Sequence, residues 1–309
     1  MIPASGRVQA LVKFDYLILD NSPSSRTSIK GRLERTISAA GVRIGLKSGE
    51  ALVNCIKESE DIEEAASYIE ESGLLPDLLL VDENLAGGER GTSLVKQVVE
   101  MGYPAEMLLF SQTPQAPQAK GLPEIRYGTL EVAGQGSIDG RMDIMASRLL
   151  TKWNEPEYLR GLVLSRAVDV ELAIDECITS YMAIMPEKVA EFNRSFLGSD
   201  GIETAKKFRL ILSILDGMRK KGTKKMPATL QSLTKENANR VFGEVRNNFA
   251  HNLLERNNQS RFKVVLKTKG GAIRFSKRDL QDYFLKCSLM RRDLEALDSS
   301  LRKGRKASI

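Results

Sequence analysis

Histidine is almost missing from this chain: His251 is the only one in 309 residues. Imidazole is the usual carrier of protons near neutral pH, so any acid–base chemistry of that kind converges on one position. Cysteine is scarce as well. Cys55, Cys177 and Cys287 are odd in number, scattered and without CxxC spacing, which disfavours a disulfide framework and a thiolate zinc site and fits a reducing cytoplasm. No apolar run approaches the roughly 20 residues that cross a bilayer, so a membrane role is not expected. The opening stretch MIPASGRVQALVKFDYLILD has no basic segment followed by an apolar core and a small-residue cleavage site, so export is not expected either.

What is present is ordinary in bulk and uneven in distribution. The composition, 42% hydrophobic and 28% charged, is that of a globular protein, and the length predicts two domains. Residues 1–150 carry 15 Lys+Arg against 21 Asp+Glu (net −6), whereas residues 151–309 carry 31 against 19 (net +12). A basic carboxy-terminal half suits a polyanion such as RNA or DNA, whose phosphates it can neutralise; it equally suits a surface kept basic for solubility or for docking the acidic half.

The first half alternates strand-like and helix-like patterns. DYLILD (15–20), DLLLVD (77–82), EMLLFSQ (106–112) and EIRYGTLEV (124–132) read as strands, with amphipathic stretches at 24–39, 61–72 and 91–101 between them. Near-continuous apolar strands imply burial on both faces, hence a parallel α/β sheet sandwiched by helices. VAGQGSIDGRMD (132–143) reads as a linker. Residues 157–184, 202–219, 235–256 and 277–302 carry helical spacing, and RFKVVLKTKGGAIRFSK (261–277) reads as a hairpin around Gly270-Gly271. The lysine-rich stretches 219–227 and 302–308 read as a loop and a frayed tail. The expected organisation is therefore an α/β domain over 14–135, a linker over 136–154 and an all-α domain with a small β-hairpin over 155–304.

In an open parallel sheet the carboxyl ends of neighbouring strands converge, and Asp20 and Asp82 end two of them. Two carboxylates with a backbone carbonyl suit Mg²⁺, and a carboxylate beside such an ion can accept a phosphoryl group. Over residues 14–132 the sequence resembles the receiver domains of two-component response regulators, which have a flavodoxin-like sheet. LILDNSPSSR resembles the first strand with its acidic pair, PDLLLVDENLAGGERG the third strand with phosphoacceptor and loop, and LLFSQ the fourth strand with its switching hydroxyl. The resemblance implies Asp82 as phosphoacceptor, Asp20, Asp82 and the backbone carbonyl of Asn84 as Mg²⁺ ligands, Ser111 as the switch residue, and a sensor histidine kinase as partner. The sequence departs from the pattern at three points. Asn21 stands in place of the second acid, Ala86 in place of proline, and no lysine ends the fifth strand, Lys120 lying earlier in a loop. The distance from Asn21 to Asp82 implies an insertion around 40–52. A receiver kept only for dimerisation or docking stays open beside a working phosphorylation site.

The lone histidine sits in EVRNNFAHN (244–252). On a regular helix at about 100° per residue, Ala238, Val241, Phe242, Val245, Phe249 and Leu253 form one apolar stripe, and His251 lies nearly opposite it with Asn247 one turn before. Arg246 then lies about 140° around the helix from His251, so an imidazole and a guanidinium converge on one phosphate only if two copies meet about a twofold axis. RNA cleavage needs little more, because imidazole moves protons between the 2′-hydroxyl and the leaving oxygen while guanidinium holds the phosphate. This R-x4-H arrangement, inside VRNNFAHN and preceded by EYLRGLVLSRAVDVELAIDECI and FLGSDGIETAKKFRLILSILDGM, resembles the HEPN superfamily of helical ribonucleases, in a mannitol-repressor-like branch. The resemblance implies His251 as general acid/base, Arg246 as phosphate clamp and Asn247 as the residue that orients the histidine or contacts the backbone. It also implies a homodimer, RNA as substrate, no metal at this site, and a setting in stress or antiphage defence. A non-enzymatic regulator or adaptor, whose helical domain binds protein or nucleic acid, is the alternative.

Overall fold

The computed structural model describes residues 12–43, 51–72, 76–101, 105–113, 117, 122, 129–183, 204–220, 230–251, 253–256, 263–268 and 271–306. The chain forms two compact units. The first comprises Met1–Leu159 with Leu254–Val265 and Gly271–Gln281; the second comprises Arg160–Leu253, Leu266–Gly270 and Asp282–Ile309.

Five parallel strands build the first unit: β1 (Val12–Leu19), β2 (Ala51–Ser59), β3 (Leu78–Asp82), β4 (Glu106–Phe110) and β5 (Thr129–Ala133), in the spatial order β2-β1-β3-β4-β5. LLLVD and EMLLF are buried at every position because helices cover both faces of the sheet. Helices α1 (Pro23–Arg43) and α4 (Ile138–Asn154) pack together, as do α2 (Ile62–Ser72) and α3 (Gly91–Glu100). The order doubles back at β1, whose neighbours are β2 and β3, and this places a crevice between the carboxyl ends of β1 and β3.

Two expectations for this unit are corrected. Residues 51–59, at the margin of the expected insertion, form β2; as an edge strand it is mostly half-buried, which mixes its polar and apolar residues. The expected linker is largely helix α4, which buries Ile138, Met142, Met145, Ala146, Leu149, Leu150 and Trp153 at helical spacing despite the glycines at its start. Of the expected strand at 124–132, residues 124–128 lie outside the described residues.

At the amino edge of the sheet the first turn of the last helix, α9 (Lys277–Lys306), joins the first unit. Ser276 and Asp279 cap it reciprocally: the Ser276 N–H donates to Asp279 Oδ2 (2.8 Å) and the Asp279 N–H to Ser276 Oγ (3.2 Å). Lys277 then reaches the buried carboxylate of Asp77 and donates to the Lys13 carbonyl (2.9 Å). Its ammonium sits 5.4 Å from the Phe14 ring centroid and 5.7 Å from that of Trp153. Asp77 also accepts from the Asp15 N–H (2.8 Å) and from Gln281 (3.2 Å).

The second unit is helical. Its elements are α5 (Pro156–Met182, from Arg160 onward), α6 (Thr204–Lys220), α7 (Lys235–Ala238), a π-helix (Asn239–Arg246), α8 (Asn247–His251) and α9 from Asp282 onward. Val163, Ala167, Val170, Ile174 and Cys177 of α5 are buried, as are Phe208, Ile211 and Leu215 of α6 and Met290, Leu294, Leu297 and Leu301 of α9, all at helical spacing. Fully burying each large apolar side chain contributes roughly 1.5–3 kcal/mol. Polar ties fix the register: Tyr283 donates to the Val163 carbonyl (2.8 Å), and the buried Asp293 carboxylate accepts both the N–H (3.0 Å) and the hydroxyl (2.6 Å) of Ser232.

The expected helix over 235–256 is corrected twice. It is π-wound from Asn239 to Arg246, and Leu253–Arg256 is a strand, β6. Strands β7 (Lys263–Thr268) and β8 (Gly271–Ser276) follow, adjacent in the order β6-β7-β8; residues 269–270, where the sequence predicts the turn, lie outside the described residues. The lysine-rich tail continues α9 as far as Lys306, and residues 221–227 lie outside the described residues.

Candidate functional site

Asp82 is the last residue of β3, and Asp20 follows β1 directly. Leu19 pairs with Val81, so the register continues with Asp20 beside Asp82 across the crevice. Both are buried, at 0% and 5% exposure, which is costly for two carboxylates unless donors meet them. Asp20 is well supplied: Oδ1 accepts the Ser22 N–H (2.7 Å), Oδ2 accepts the Ser25 hydroxyl, and Arg26 donates to its carbonyl. Asp82 is not: the Asn84 N–H reaches Oδ1 at 3.3 Å. Burial pushes the Asp82 pKa up to about 6; the Asn84 N–H opposes this, and the Asp20 charge adds to it.

The rim is made of hydroxyls, amides and arginines. Ser111, just beyond β4, accepts from the Asn84 side-chain amide (3.1 Å) and shares a hydrogen bond with the Thr113 hydroxyl (2.8 Å). Gln112 donates to Ser25 (2.8 Å). Arg90 donates to the Asn84 side-chain oxygen (3.1 Å) and lies 3.8 Å from the Glu83 carboxylate. The loop that carries Arg90 passes through Gly87 and Gly88, both with positive φ (73° and 84°), and returns so that Asn84 and Arg90 form an antiparallel bridge. Gly91 then opens α3 directly over Asp82: a Cβ there would lie 2.1 Å from the Asp82 carbonyl oxygen.

The strand ends and the loop after β3 bring together Asp20, Asp82, Asn84 and Ser111. Arg90, Ser25 and Gln112 were not expected; their part in the site depends on how two loops close, which no local pattern reveals. For a divalent cation the donor set is sparse. It offers two carboxylates and a carbonyl, Asn21 in place of a further acid, and among the described residues no group of three or more His, Cys, Asp or Glu arranged to hold a metal ion. Asp82, poorly compensated and beside Asp20, is nonetheless the kind of carboxylate a hydrated hard cation occupies.

Arg246 and Asn247, in the second unit, meet where π-winding gives way to α. Arg246, half-buried, donates to the Asn247 side-chain oxygen (3.1 Å) and lies 3.9 Å from the Glu171 carboxylate of α5. Glu171 accepts from the Thr204 hydroxyl (2.6 Å), and one turn on Asp175 pairs with Lys207 (2.8 Å), so a polar seam joins α5, α6 and the π-helix. His251 closes α8, and the position of its side chain lies outside what is described. The uniform step used to place it opposite the apolar stripe holds only from Asn247 onward. Val241, Phe242, Val245 and Phe249 are buried.

No protein-family model matches this sequence, and no curated protein is detectably similar to it. No helix among the described residues is long and apolar enough to cross a membrane.

Proposed function

We propose that the chain is a cytoplasmic signalling protein in which a flavodoxin-like, receiver-type unit regulates a HEPN-like R-x4-H unit acting as a homodimeric, metal-independent endoribonuclease. The observation that carries the first part is the pairing of Asp20 and Asp82 at the point where the 2-1-3-4-5 strand order reverses, with Ser111 one strand away and linked to Asn84. In this reading Asp82 accepts a phosphoryl group from a sensor histidine kinase or a small donor. Ser111 leaves Asn84 to meet the new phosphoryl oxygens. Mg²⁺, when bound by Asp20, Asp82 and the Asn84 carbonyl, would offset the charge of the acid pair and the incoming phosphate.

Support for the second part is chemical. The lone histidine lies five residues after an arginine that ends a π-helical segment, a type of distortion frequent at functional sites. His251 moves the proton from the 2′-hydroxyl to the leaving oxygen, Arg246 clamps the phosphate, and Asn247 holds the site's polar geometry. The alternative, a non-enzymatic regulator or adaptor, is favoured by one observation: Arg246 is already tied to Asn247 and Glu171, as a structural arginine would be.

The test is cleavage of a mixed cellular RNA by the purified chain in the presence of a metal chelator. Fragmentation by wild type, abolished in His251→Ala and Arg246→Ala variants with unchanged circular dichroism, supports the ribonuclease. Intact RNA with all three proteins favours the adaptor.

A further inference from the structure

Among the described residues two cations border the Asp82 crevice, and they are engaged very differently. Arg26 donates to the Asp20 carbonyl and pairs with Glu60 (2.9 Å) and Glu58 (3.5 Å), so its side chain is largely covered and already shared between two carboxylates. Arg90 is 63% exposed, donates to a neutral amide oxygen, and is 3.8 Å from its nearest described carboxylate, Glu83. The charges beside Asp82 that oppose its ionisation are the carboxylates of Asp20 and Glu83. An anion covalently attached to Asp82 therefore needs a positive partner, and among the described residues at the crevice Arg26 is already shared between two carboxylates.

We propose that Arg90 is that partner: the guanidinium that binds the oxygens of a phosphoryl group carried by Asp82, in the role that a lysine after the last strand would otherwise fill. This rests on the receiver-type reading of the first unit. The geometry favours it in two ways. The Asn84–Arg90 bridge closes a short loop whose base is two residues from Asp82, so the guanidinium is tethered beside the crevice, not presented by a free loop end. The Asn84 amide also links both groups that must respond, donating to Ser111 while accepting from Arg90. When Ser111 turns to the phosphoryl group the amide loses its acceptor, and Arg90 is able to leave with it. A planar guanidinium suits two phosphoryl oxygens at once, which an ammonium does not.

The step is a simple displacement. With acetyl phosphate as donor, a carboxylate oxygen of Asp82 bonds to phosphorus while the bridging O–P bond breaks, and acetate departs with that electron pair. Arg90 forms no bond; it holds the transferred group and slows its loss to water.

The experiment incubates the full chain with acetyl phosphate and Mg²⁺ and follows incorporation and decay of the phosphoryl group by intact-protein mass, for wild type, Asp82→Ala, Arg90→Ala and Arg90→Lys. Expected is labelling of wild type, none of Asp82→Ala, and for Arg90→Ala a fall in incorporation rate, product lifetime or both on the order of tenfold or more, the loss of one charge-assisted contact. Arg90→Lys should recover part of it. Arg90 is exposed, so folding is not at issue, and circular dichroism checks this. Wild type and Arg90→Ala labelling and decaying alike overturns this inference alone. A wild type that takes no label at all, or a label retained in Asp82→Ala, overturns the receiver-type reading and this inference with it.

Discussion

Removing either partner of the Lys277–Asp77 pair should cost the first unit about 3–5 kcal/mol. The estimate follows from the surroundings. Asp77 is 4% exposed and Lys277 has 15% of its side chain exposed, so water cannot replace the lost charge. In Asp77→Ala the ammonium keeps only the Lys13 carbonyl and the faces of Phe14 and Trp153. In Lys277→Met the carboxylate keeps the Asp15 N–H and Gln281. At about 2–4 °C per kcal/mol for a unit of this size, each single change lowers the midpoint by roughly 6–20 °C. Trp153, the one tryptophan in the chain, lies within the cluster and reports its unfolding by fluorescence in urea. The double variant Asp77→Ala/Lys277→Met removes both charges and should lose clearly less than the sum of the single losses, a coupling of about 2 kcal/mol or more. Additive losses, or single losses below about 1 kcal/mol, would show that the pair is solvated and that the account of it is wrong.

Asp82→Asn should stabilise the first unit above about pH 6 by up to roughly 3 kcal/mol, because the folded pKa of about 6 lies above the ordinary 3.8 and ionisation of this group opposes folding. The gain should shrink as pH falls through 6 and vanish below about 4; a pH-independent difference in thermal midpoint contradicts this. Gly91→Ala should destabilise by about 1–3 kcal/mol or more, since its Cβ would meet the Asp82 carbonyl oxygen and the Val81 side chain (2.6 Å); urea midpoints equal to wild type would refute the close approach. Asp293→Ala leaves the N–H and hydroxyl of Ser232 without their carboxylate and should cost the second unit about 1–3 kcal/mol, read from helical ellipticity on heating.

How much of this was legible depends on what each residue faces. β3 and β4 were readable because burial on both faces turns them into unbroken apolar runs. β2 was not, because an edge position lets polar and apolar residues mix. α4 was hidden by Gly136 just before it and Gly140 in its first turn, although its apolar residues recur at helical spacing from Ile138 to Trp153. The π-winding of Asn239–Arg246 is a hydrogen-bond pattern, and the same apolar positions are compatible with an α-helix, so the sequence carried no sign of it. Asp20, Asp82 and Ser111 could be found because each lies at or directly after the carboxyl end of a strand. Arg90 could not, since only the closure of its glycine-containing loop brings it back to Asn84.

The chain passes between its two compact bodies several times, and α9 contributes its first turns to one and the rest to the other. Neither body is thus an uninterrupted block of sequence. A fragment ending at Leu159 would keep all five strands yet leave Asp77 without its ammonium, so the first unit cannot be excised, exchanged or inherited by one cut without losing a residue its sheet depends on.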